Sequence, residues 1–539
     1  MADDCDAAIP DDLEIHGEPR QPERDPALGI DVDISATTKP PHRFVVIGDS
    51  ISHGFMSGAI FRTEVSWPAI VAYELGLLLT PPGSPPTQTD IFRYPVYEPP
   101  NGPGGLPLDL ERLLKKLQVQ YGTDLSMAEL FKAAFFANGY LDDVEDFWER
   151  RSDECVPMLD ATPHNLSVYG WDVRDAMSVS YDTIVKDLDH PPSDDVIPWR
   201  QLVERDTARA ALRVLGPAHA SDATVQTALD AATALGGQGG EGPGIETLCV
   251  VLGANNALAS MVKLKLCWSG DGYADPARKG SYTVWRPSHF AAEWAELVGR
   301  LRGIKARNVI VATVPSVTIP PVARGVPAKQ AHGSRYFQYY TRPWIDGSAF
   351  DARHDPHVTG DQARAVDSAI DAYNATIIES VRQARRDGLN WFVFDLGGLL
   401  DSLASKRYLS DPAARPAWWQ EYNLPDVVKA LEPVPNTRFF RSGPQGRIDG
   451  GLFSLDGVHP TTIGYGVVAQ EVIKILERAG VAFRTQTGED RVGAIEVDWR
   501  RVLAADSLIS APPALLDDGL GLLGWLDERL DWVSGIFGR

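Results

Sequence analysis

Residues 43–50, which read RFVVIGDS, carry the strongest fold signal in this chain. The segment FVVI is apolar and largely β-branched, which is typical of a parallel strand that is buried on both faces. Gly48 ends the apolar run, and the polar residues Asp49 and Ser50 follow immediately. In open α/β sheets, functional sites form just beyond the carboxyl ends of the strands. We therefore expect the Ser50 hydroxyl to lie at such a site.

Four further apolar runs resemble this strand and alternate with helical patterns. The predicted strands occupy residues 43–47, 165–170, 248–252, 308–314 and 391–395. The predicted helices between them occupy residues 67–75, 291–305 and 362–386. Strands that alternate with helices indicate a parallel sheet that is covered by helices on both faces. The pattern therefore predicts a three-layer α/β fold.

The chain is predicted to divide into an N-terminal arm, a main domain and a C-terminal extension. Residues 1–40 are rich in Asp, Glu and Pro, and we expect them to form a tail or loose arm. The main domain covers residues 41–480, with a helical insertion or cap at residues 83–163. Further inserts are expected at residues 258–290, 315–358 and 401–450, and the extension covers residues 481–539.

The C-terminal extension contains a strand-like run at residues 493–497 and ends in an amphipathic helical pattern. One face of the predicted helix is apolar and consists of Leu522, Leu526, Leu530, Val533 and Phe537. The opposite face carries acidic residues, whereas a helix that binds lipid usually carries Lys and Arg there. We therefore favour docking on the body or on a second subunit, which leaves a homo-oligomer open.

The formal net charge of −22, from 73 acidic and 51 basic residues, restricts the partners. A surface this acidic repels phosphate backbones and anionic lipid head groups, so nucleic acid is not an expected partner. Neutral or cationic substrates fit the charge better. The same charge also has a simple interpretation, which is that it keeps a large protein soluble.

The cysteines, the N-terminus and the lengths of the apolar runs bear on the cellular location of this protein. The four cysteines (Cys5, Cys155, Cys249 and Cys267) are too few and too scattered for a disulfide framework or a metal site. The N-terminus lacks the basic and apolar regions of a secretory signal. No stretch approaches the roughly 18 apolar residues that a transmembrane helix needs. We expect a cytoplasmic protein with no transmembrane segment.

Residues 455–460, which read LDGVHP, combine a histidine with an aspartate three positions earlier. His459 can take and return a proton near neutral pH. Across a tight turn, the Asp456 carboxylate can reach the second ring nitrogen and fix the tautomer. Taken alone, this pair is more typical of a cap or a surface turn than of a catalytic pair, just as Ser50 alone is more typical of a turn or a helix N-cap.

Two other segments that follow predicted strands could stabilise a negative charge. Asn255 lies in residues 253–256, which read GANN, and its side-chain amide can donate to a developing oxyanion. Gly170 closes another strand, and without a side chain its N–H can approach a substrate oxygen closely.

Two motif-like segments are set aside. Residues 237–242 match G-x-G-x-x-G but precede a strand, so a flexible loop is favoured over a dinucleotide site. His354 and His357, with His332 upstream, could hold a metal. The adjacent capping pattern favours a loop that enters a helix instead. We therefore expect no metal and no organic cofactor.

The order of these segments resembles that of the SGNH/GDSL hydrolase family. The block that carries Ser50 looks like the nucleophile block of the family, and the block with Gly170 like its oxyanion-glycine block. The block with Asn255 looks like the G-x-N-D block, and DGVHP like the D-x-x-H block. The resemblance covers about half of the chain; the inserts and the extension match no pattern. It implies a flavodoxin-like parallel sheet, which is the SGNH hydrolase fold.

The resemblance also implies a role for each of these residues. Ser50 is expected to be the nucleophile, His459 the base and Asp456 the acid that orients it. The Ser50 and Gly170 amides and the Asn255 side chain are expected to form the oxyanion hole. Asn256 replaces the usual aspartate of its block, and Tyr169 stands where a small residue is usual.

These roles predict a serine esterase or lipase that cleaves a small-molecule or lipid-like ester through an acyl-enzyme on Ser50. Three alternatives remain open at the sequence level. The same residues would serve an acyltransferase or a carbohydrate O-deacetylase, and the scaffold could also support a non-catalytic binding protein. The sequence does not identify the substrate.

Overall fold

A computed structural model describes residues 6–33, 39–78, 91–97, 102–122, 127–150, 156–190 and 202–516, together with residues 523, 524, 527 and 533. Its strands are β1 (His42–Gly48), β2 (Phe55–Met56), β3 (Ala59–Ile60), β4 (Leu106–Pro107), β5 (Ile245–Val251), β6 (Ala306–Ala312), β7 (Arg324–Lys329), β8 (Phe337–Thr341), β9 (Val358–Thr359), β10 (Trp391–Phe394), β11 (Arg441–Gly443) and β12 (Gly446–Asp449).

The helices differ widely in length, from single turns to 27 residues. The α-helices are α1 (Ser50–His53), α2 (Trp67–Glu74), α3 (Leu110–Tyr121), α4 (Met127–Trp148), α5 (Val173–Ser178), α6 (Tyr181–Leu188), α7 (Asp206–Ser221), α8 (Ala228–Gly237), α9 (Asn255–Val262), α10 (Pro276–Lys279), α11 (Pro287–Leu301), α12 (Gly360–Arg386), α13 (Leu396–Leu403), α14 (Asp426–Lys429), α15 (Thr462–Arg478), α16 (Trp499–Ala505) and α17 (Ser507–Ser510). Short 3₁₀ turns lie at Thr63–Val65, Pro412–Ala414 and Ala514–Leu516, and a π-helical turn at Ser405–Leu409.

A parallel sheet in the order β1-β5-β6-β10 forms the centre of the molecule. Residues 164–168 run beside β1 on its outer edge. There Leu166 N–H donates to Val46 O over 2.8 Å, and Val168 N–H donates to Gly48 O over 3.1 Å. With this segment counted second along the chain, the spatial order is 2-1-3-4-5, as in flavodoxin-like sheets.

Helices cover both faces of the sheet, because its strands are apolar on both sides. Val45 and Ile47 of β1 lie in one core, together with residues of α7, α8, α11 and α12. Phe44 and Val46 point the other way, into a second core with residues of α2 and α15. The predicted α/β class with helices on both faces is therefore confirmed, and α3 and α4 lie in the segment expected to be helical.

The N-terminal arm lies against the body over residues 6–33, so the expectation of a loose arm is wrong for this segment. Arg20 forms an ion pair with Asp395 at 2.5 Å, just after β10. Farther along the arm, Pro26 O accepts from Val393 N over 2.9 Å. The polar composition of the arm suggested disorder, but its partners are distant in sequence and no local pattern reveals them.

The strand-like run at residues 493–497 is not a strand, which corrects the sequence prediction. Its apolar residues Ile495 and Val497 are buried in the second core. The Gln470 amide of α15 takes the place of a partner strand: Nε2 donates to Ile495 O over 3.1 Å, and Oε1 accepts from Val497 N over 2.9 Å. A side chain that satisfies two backbone groups makes strand pairing unnecessary here.

Most of the predicted C-terminal helix lies outside the described residues, including Leu522, Leu526, Leu530 and Phe537. Val533 and Leu523 are both buried in the first core. Asp527 lies 3.9 Å from Arg342 of the body. These positions agree with docking of the C-terminal segment on the body. The structure contains one chain and does not test docking on a second subunit. In the part of the chain that is described, we find no helix with the length and apolar character to cross a membrane.

We expect Gln470→Leu to lower the free energy of unfolding by about 1–3 kcal/mol, because it leaves Ile495 O and Val497 N buried without partners. Urea unfolding followed by circular dichroism measures this loss. The matched control is Lys474→Ala, on the exposed side of α15, which should stay within about 0.5 kcal/mol of the parent protein. Equal stability of the two variants would show that Gln470 does not hold the extension.

Candidate active site

Ser50 lies at the carboxyl end of β1, where the chain turns sharply into α1. The Asp49 carboxylate caps this helix by accepting from Ile51 N over 3.1 Å. The turn leaves no room at Gly48: a Cβ there would meet Ser52 Oγ at 2.6 Å and Val251 O at 2.9 Å. Close packing at the glycine thus sets the position of the Ser50 hydroxyl.

The structure brings Ser50, His459 and Asp456 together in one hydrogen-bonded chain. His459 Nε2 lies 2.8 Å from Ser50 Oγ, across 409 residues of sequence. His459 Nδ1 lies 3.1 Å from Asp456 Oδ2. When Nδ1–H donates a hydrogen bond to the carboxylate, Nε2 carries no proton and can accept the serine hydroxyl proton. The Phe55 ring packs on the imidazole with its centroid 4.6 Å away, which restricts the ring.

The buried Asp456 carboxylate is held charged by the groups around it. Burial alone would raise the pKa of Asp456, but the neighbouring His459 and hydrogen bonds from the chain lower it below its usual value. Oδ1 accepts from the backbone N–H of Val458 and His459 over 2.8 and 2.9 Å. Oδ2 accepts from Gly58 N over 3.0 Å. A charged carboxylate is the form that orients the imidazole.

The turn between β2 and β3 supports this carboxylate and was not predicted from the sequence. Ser57 and Gly58 both have positive φ, 52° and 84°, as in a tight hairpin turn. Ser57 N–H donates to Ser454 Oγ over 2.8 Å, which fixes the turn against the Asp456 loop. The signal was present, because Ser-Gly between two short apolar runs is typical of such a turn.

His53 is a further residue of the site that was not predicted from the sequence. Its Nδ1 accepts from Tyr169 N over 3.2 Å, so the remaining proton lies on Nε2, 3.0 Å from the Tyr97 hydroxyl. That hydroxyl donates in turn to Ala210 O over 3.0 Å. Burial lowers the pKa of His53 to about 3, which keeps the ring neutral. His53 therefore positions the backbone that leads into Gly170.

The residues that carry the three predicted oxyanion donors, Ser50, Gly170 and Asn255, line one cavity together with His459. Gly170 has φ of +77°, a left-handed conformation that glycine adopts without strain. Within the described part of the chain, neither the Gly170 N–H nor the Ser50 N–H donates to a protein acceptor. Asn255 Nδ2 uses one hydrogen on Trp171 O at 2.8 Å, which orients the amide and leaves its second hydrogen.

The departures from the family blocks have local consequences. Asn256 is buried and accepts from Val173 N over 3.3 Å, while its amide lies 3.5 Å from Glu293. Burial raises the pKa of Glu293 to about 7, so a neutral Asn256 avoids a second carboxylate beside it. Tyr169 lines the cavity and packs on Phe55, with ring centroids 5.0 Å apart.

The residues that were set aside remain apart from this site. Residues 237–242 connect α8 to β5 and so precede a strand, as expected. His357 Nδ1 lies 2.9 Å from Asp355 O, and its ring packs on Tyr339. Among the described residues, no group of three or more His, Cys, Asp or Glu side chains is arranged to hold a metal ion.

Comparison with known sequences assigns the chain to no family. No protein-family model matches it, and no curated protein sequence matches it. The chemistry of the site therefore rests on its own atoms and distances.

We expect Asp49→Asn to change how stability depends on pH. Burial raises the pKa of Asp49 to about 7 from an ordinary value of 3.8. The native state then binds a proton that the unfolded chain has released, so Asp49 reduces stability progressively as the pH rises from about 4 to about 7. The asparagine keeps a cap acceptor and does not ionise.

The measurement is urea unfolding of both proteins at intervals across this range. The free energy of unfolding of the variant minus that of the parent should increase with pH. A difference that stays constant would show that the folded-state pKa of Asp49 is not raised.

Proposed function

We propose that this chain is a serine esterase of the SGNH/GDSL type, which hydrolyses carboxylic esters through an acyl-enzyme on Ser50. The observation that carries the proposal is the hydrogen-bonded chain from Asp456 through His459 to Ser50, at 3.1 and 2.8 Å. The 2-1-3-4-5 strand order supports the SGNH fold, because it places Ser50, Gly170 and Asn255 at one edge of the sheet.

The first half of the reaction acylates the serine. His459 Nε2 takes the Ser50 proton as Oγ forms a bond to the ester carbonyl carbon. The carbonyl oxygen becomes an oxyanion beside the Ser50 and Gly170 N–H groups and the Asn255 amide, and each such donor is typically worth about 10²–10³ in rate. The carbon–oxygen bond to the alcohol then breaks, and His459 returns the proton to the leaving oxygen.

The second half regenerates the enzyme. A water molecule takes the place of the alcohol, and His459 removes its proton as the oxygen attacks the acyl carbon. The bond to Ser50 Oγ breaks, and His459 gives the proton to Oγ. The products are one carboxylic acid and one alcohol for each ester and water consumed. Asp456 stays ionised and stabilises the imidazolium that forms in each half.

Acyl transfer is the second candidate, and the size of the cavity beside Ser50 favours it. A volume of about 840 Å³ can hold an acceptor alcohol as well as water. The acyl-enzyme is common to both reactions, and only the attacking oxygen differs. Glycerol added to the assay distinguishes them, because a transferase would release a glyceryl ester in place of the free acid.

We expect Ser50→Ala to reduce kcat/KM on p-nitrophenyl esters by at least about 10³-fold, since the acyl-enzyme cannot form. Asp456→Asn should reduce it by about 10⁴-fold or less, because the asparagine favours the wrong histidine tautomer. Circular dichroism verifies that both variants are folded.

The matched control is Ser178→Ala, an exposed serine that donates to Arg174 O and lines neither cavity at Ser50. It should retain the parent activity. Full activity of Ser50→Ala would disprove the proposed mechanism.

A further inference from the structure

Two cavities of very different character meet at the Ser50–His459 pair. Both are lined by Ser50, His459 and Leu258. One has a volume of about 840 Å³ and the other about 90 Å³. An ester that reacts at Ser50 consists of an acyl part and an alcohol part, which we call its acyl arm and its alcohol arm. Each cavity is placed to take one of the two.

The small cavity is suited to hydrocarbon. Its wall is largely aliphatic and includes Ile51, Val317, Leu399, Leu403, Leu452 and Val468. Apart from Ser50 and His459, the polar side chains among its described lining residues are Ser316 and Thr437. Its volume of about 90 Å³ is smaller than the volume of about 150 Å³ of a protein cavity that holds benzene. It therefore accommodates a chain of about four carbons or fewer.

The large cavity combines apolar surface with a cluster of acidic side chains. Among the described residues, its lining contains five carboxylates, Asp172, Asp175, Asp187, Glu204 and Asp206. The cations among the same described residues are Arg205, Lys263 and Lys279. Lys279 is paired with Asp172 at 2.9 Å and also with Asp175, so two carboxylates share it.

The excess of negative charge in this cavity does not depend on Asp175. Burial and the neighbouring Asp172 raise the pKa of Asp175 to about 7. With Asp175 neutral, the described part of the lining still holds four carboxylates and three cations. Aromatic rings of Trp171, Tyr282 and Trp285 also line the wall and can pack against the carbon frame of a polyol or against an amine. This cavity therefore favours a hydrophilic group and repels an anionic one.

The position of the oxyanion donors and the sizes of the two cavities together indicate which arm enters which cavity. Gly170 and Asn255 line the large cavity and not the small one, so the reacting carbonyl oxygen points towards the large cavity. After the first half of the reaction the alcohol must leave and water must enter, and the larger cavity has room for both. The acyl group stays on Ser50 in the meantime, and the small apolar cavity is suited to hold it.

We propose that the ester hydrolysed at Ser50 joins a short acyl chain, held in the apolar cavity, to a hydrophilic alcohol that carries hydroxyl or amino groups and no negative charge, held in the acidic cavity. This inference rests on the proposed esterase function and identifies its substrate class. The net charge of −22 also favours a substrate without negative charge, because it disfavours the approach of anionic substrates.

The acyl arm is tested with p-nitrophenyl acetate, butyrate, octanoate and palmitate, which share one leaving group. We expect kcat/KM to rise about fourfold per methylene up to butyrate, as apolar surface is buried, and to fall about tenfold or more by octanoate. Leu403→Ala enlarges the small cavity and should raise the octanoate-to-butyrate ratio about fivefold or more. Val119→Ala, with a side chain 88% exposed on α3, should leave the ratio unchanged.

The alcohol arm is tested with butyrate esters of glycerol, choline and glycolate, whose alcohol parts are neutral, cationic and anionic. We expect the glycerol and choline esters to exceed the glycolate ester by about tenfold or more at low salt, and the difference to shrink at about 0.5 M salt. Neutralising Asp187 and Glu204 together, as Asp187→Asn with Glu204→Gln, should lower the choline-to-glycolate ratio about threefold or more. Asp426→Asn, remote and 99% exposed, is the control that should not lower it.

The outcomes separate this inference from the proposed function. Hydrolysis that depends on Ser50 but is fastest on octanoate, palmitate or glycolate esters would overturn the substrate assignment and leave the esterase proposal intact. Hydrolysis of every ester at the same rate by the parent protein and by Ser50→Ala would overturn both. A maximum at butyrate or acetate, with the expected effects of the variants, supports the assignment.

Discussion

The charge on the buried Asp456 carboxylate is the constraint on which the rest of the site depends. A carboxylate in an apolar interior is costly unless hydrogen bonds and a partner charge compensate it. Here the backbone N–H groups of Val458, His459 and Gly58 and the His459 ring provide that compensation. Because Gly58 belongs to the β2–β3 turn, the same carboxylate joins the first βα loop to the histidine loop, about 400 residues later in the chain.

The parallel sheet supplies the other half of the geometry. Its strand order places the ends of β1, of the segment 164–168 and of β5 side by side, and these ends carry Ser50, Gly170 and Asn255. The backbone conformation at glycine and hydrogen bonds from side chains then orient the reactive groups of these residues. His53 acts in this way on the Gly170 loop, since a neutral imidazole accepts the Tyr169 N–H. The site thus combines a rigid sheet edge with loops that are held by buried polar contacts.

Local sequence patterns predicted the strands of the sheet and the residues that meet at Ser50, because buried runs and motif blocks are short and contiguous. They did not predict contacts between distant segments. The arm pairs Arg20 with Asp395, and Gln470 replaces a partner strand for residues 493–497. Nor could the sequence show that a small aliphatic cavity and a larger cavity lined by carboxylates meet at the serine. That property arises from the inserts and from helices that lie far apart along the chain.

Covalent labelling of the parent protein with a short alkyl fluorophosphonate tests the central claim most directly. Attack by an activated serine forms an oxygen–phosphorus bond and releases fluoride, whatever the natural substrate is. Peptide mass spectrometry should find the phosphonyl group on Ser50, and His459→Ala should slow its appearance strongly because the base is lost. A folded protein that is labelled at another serine, or at none, would contradict the account.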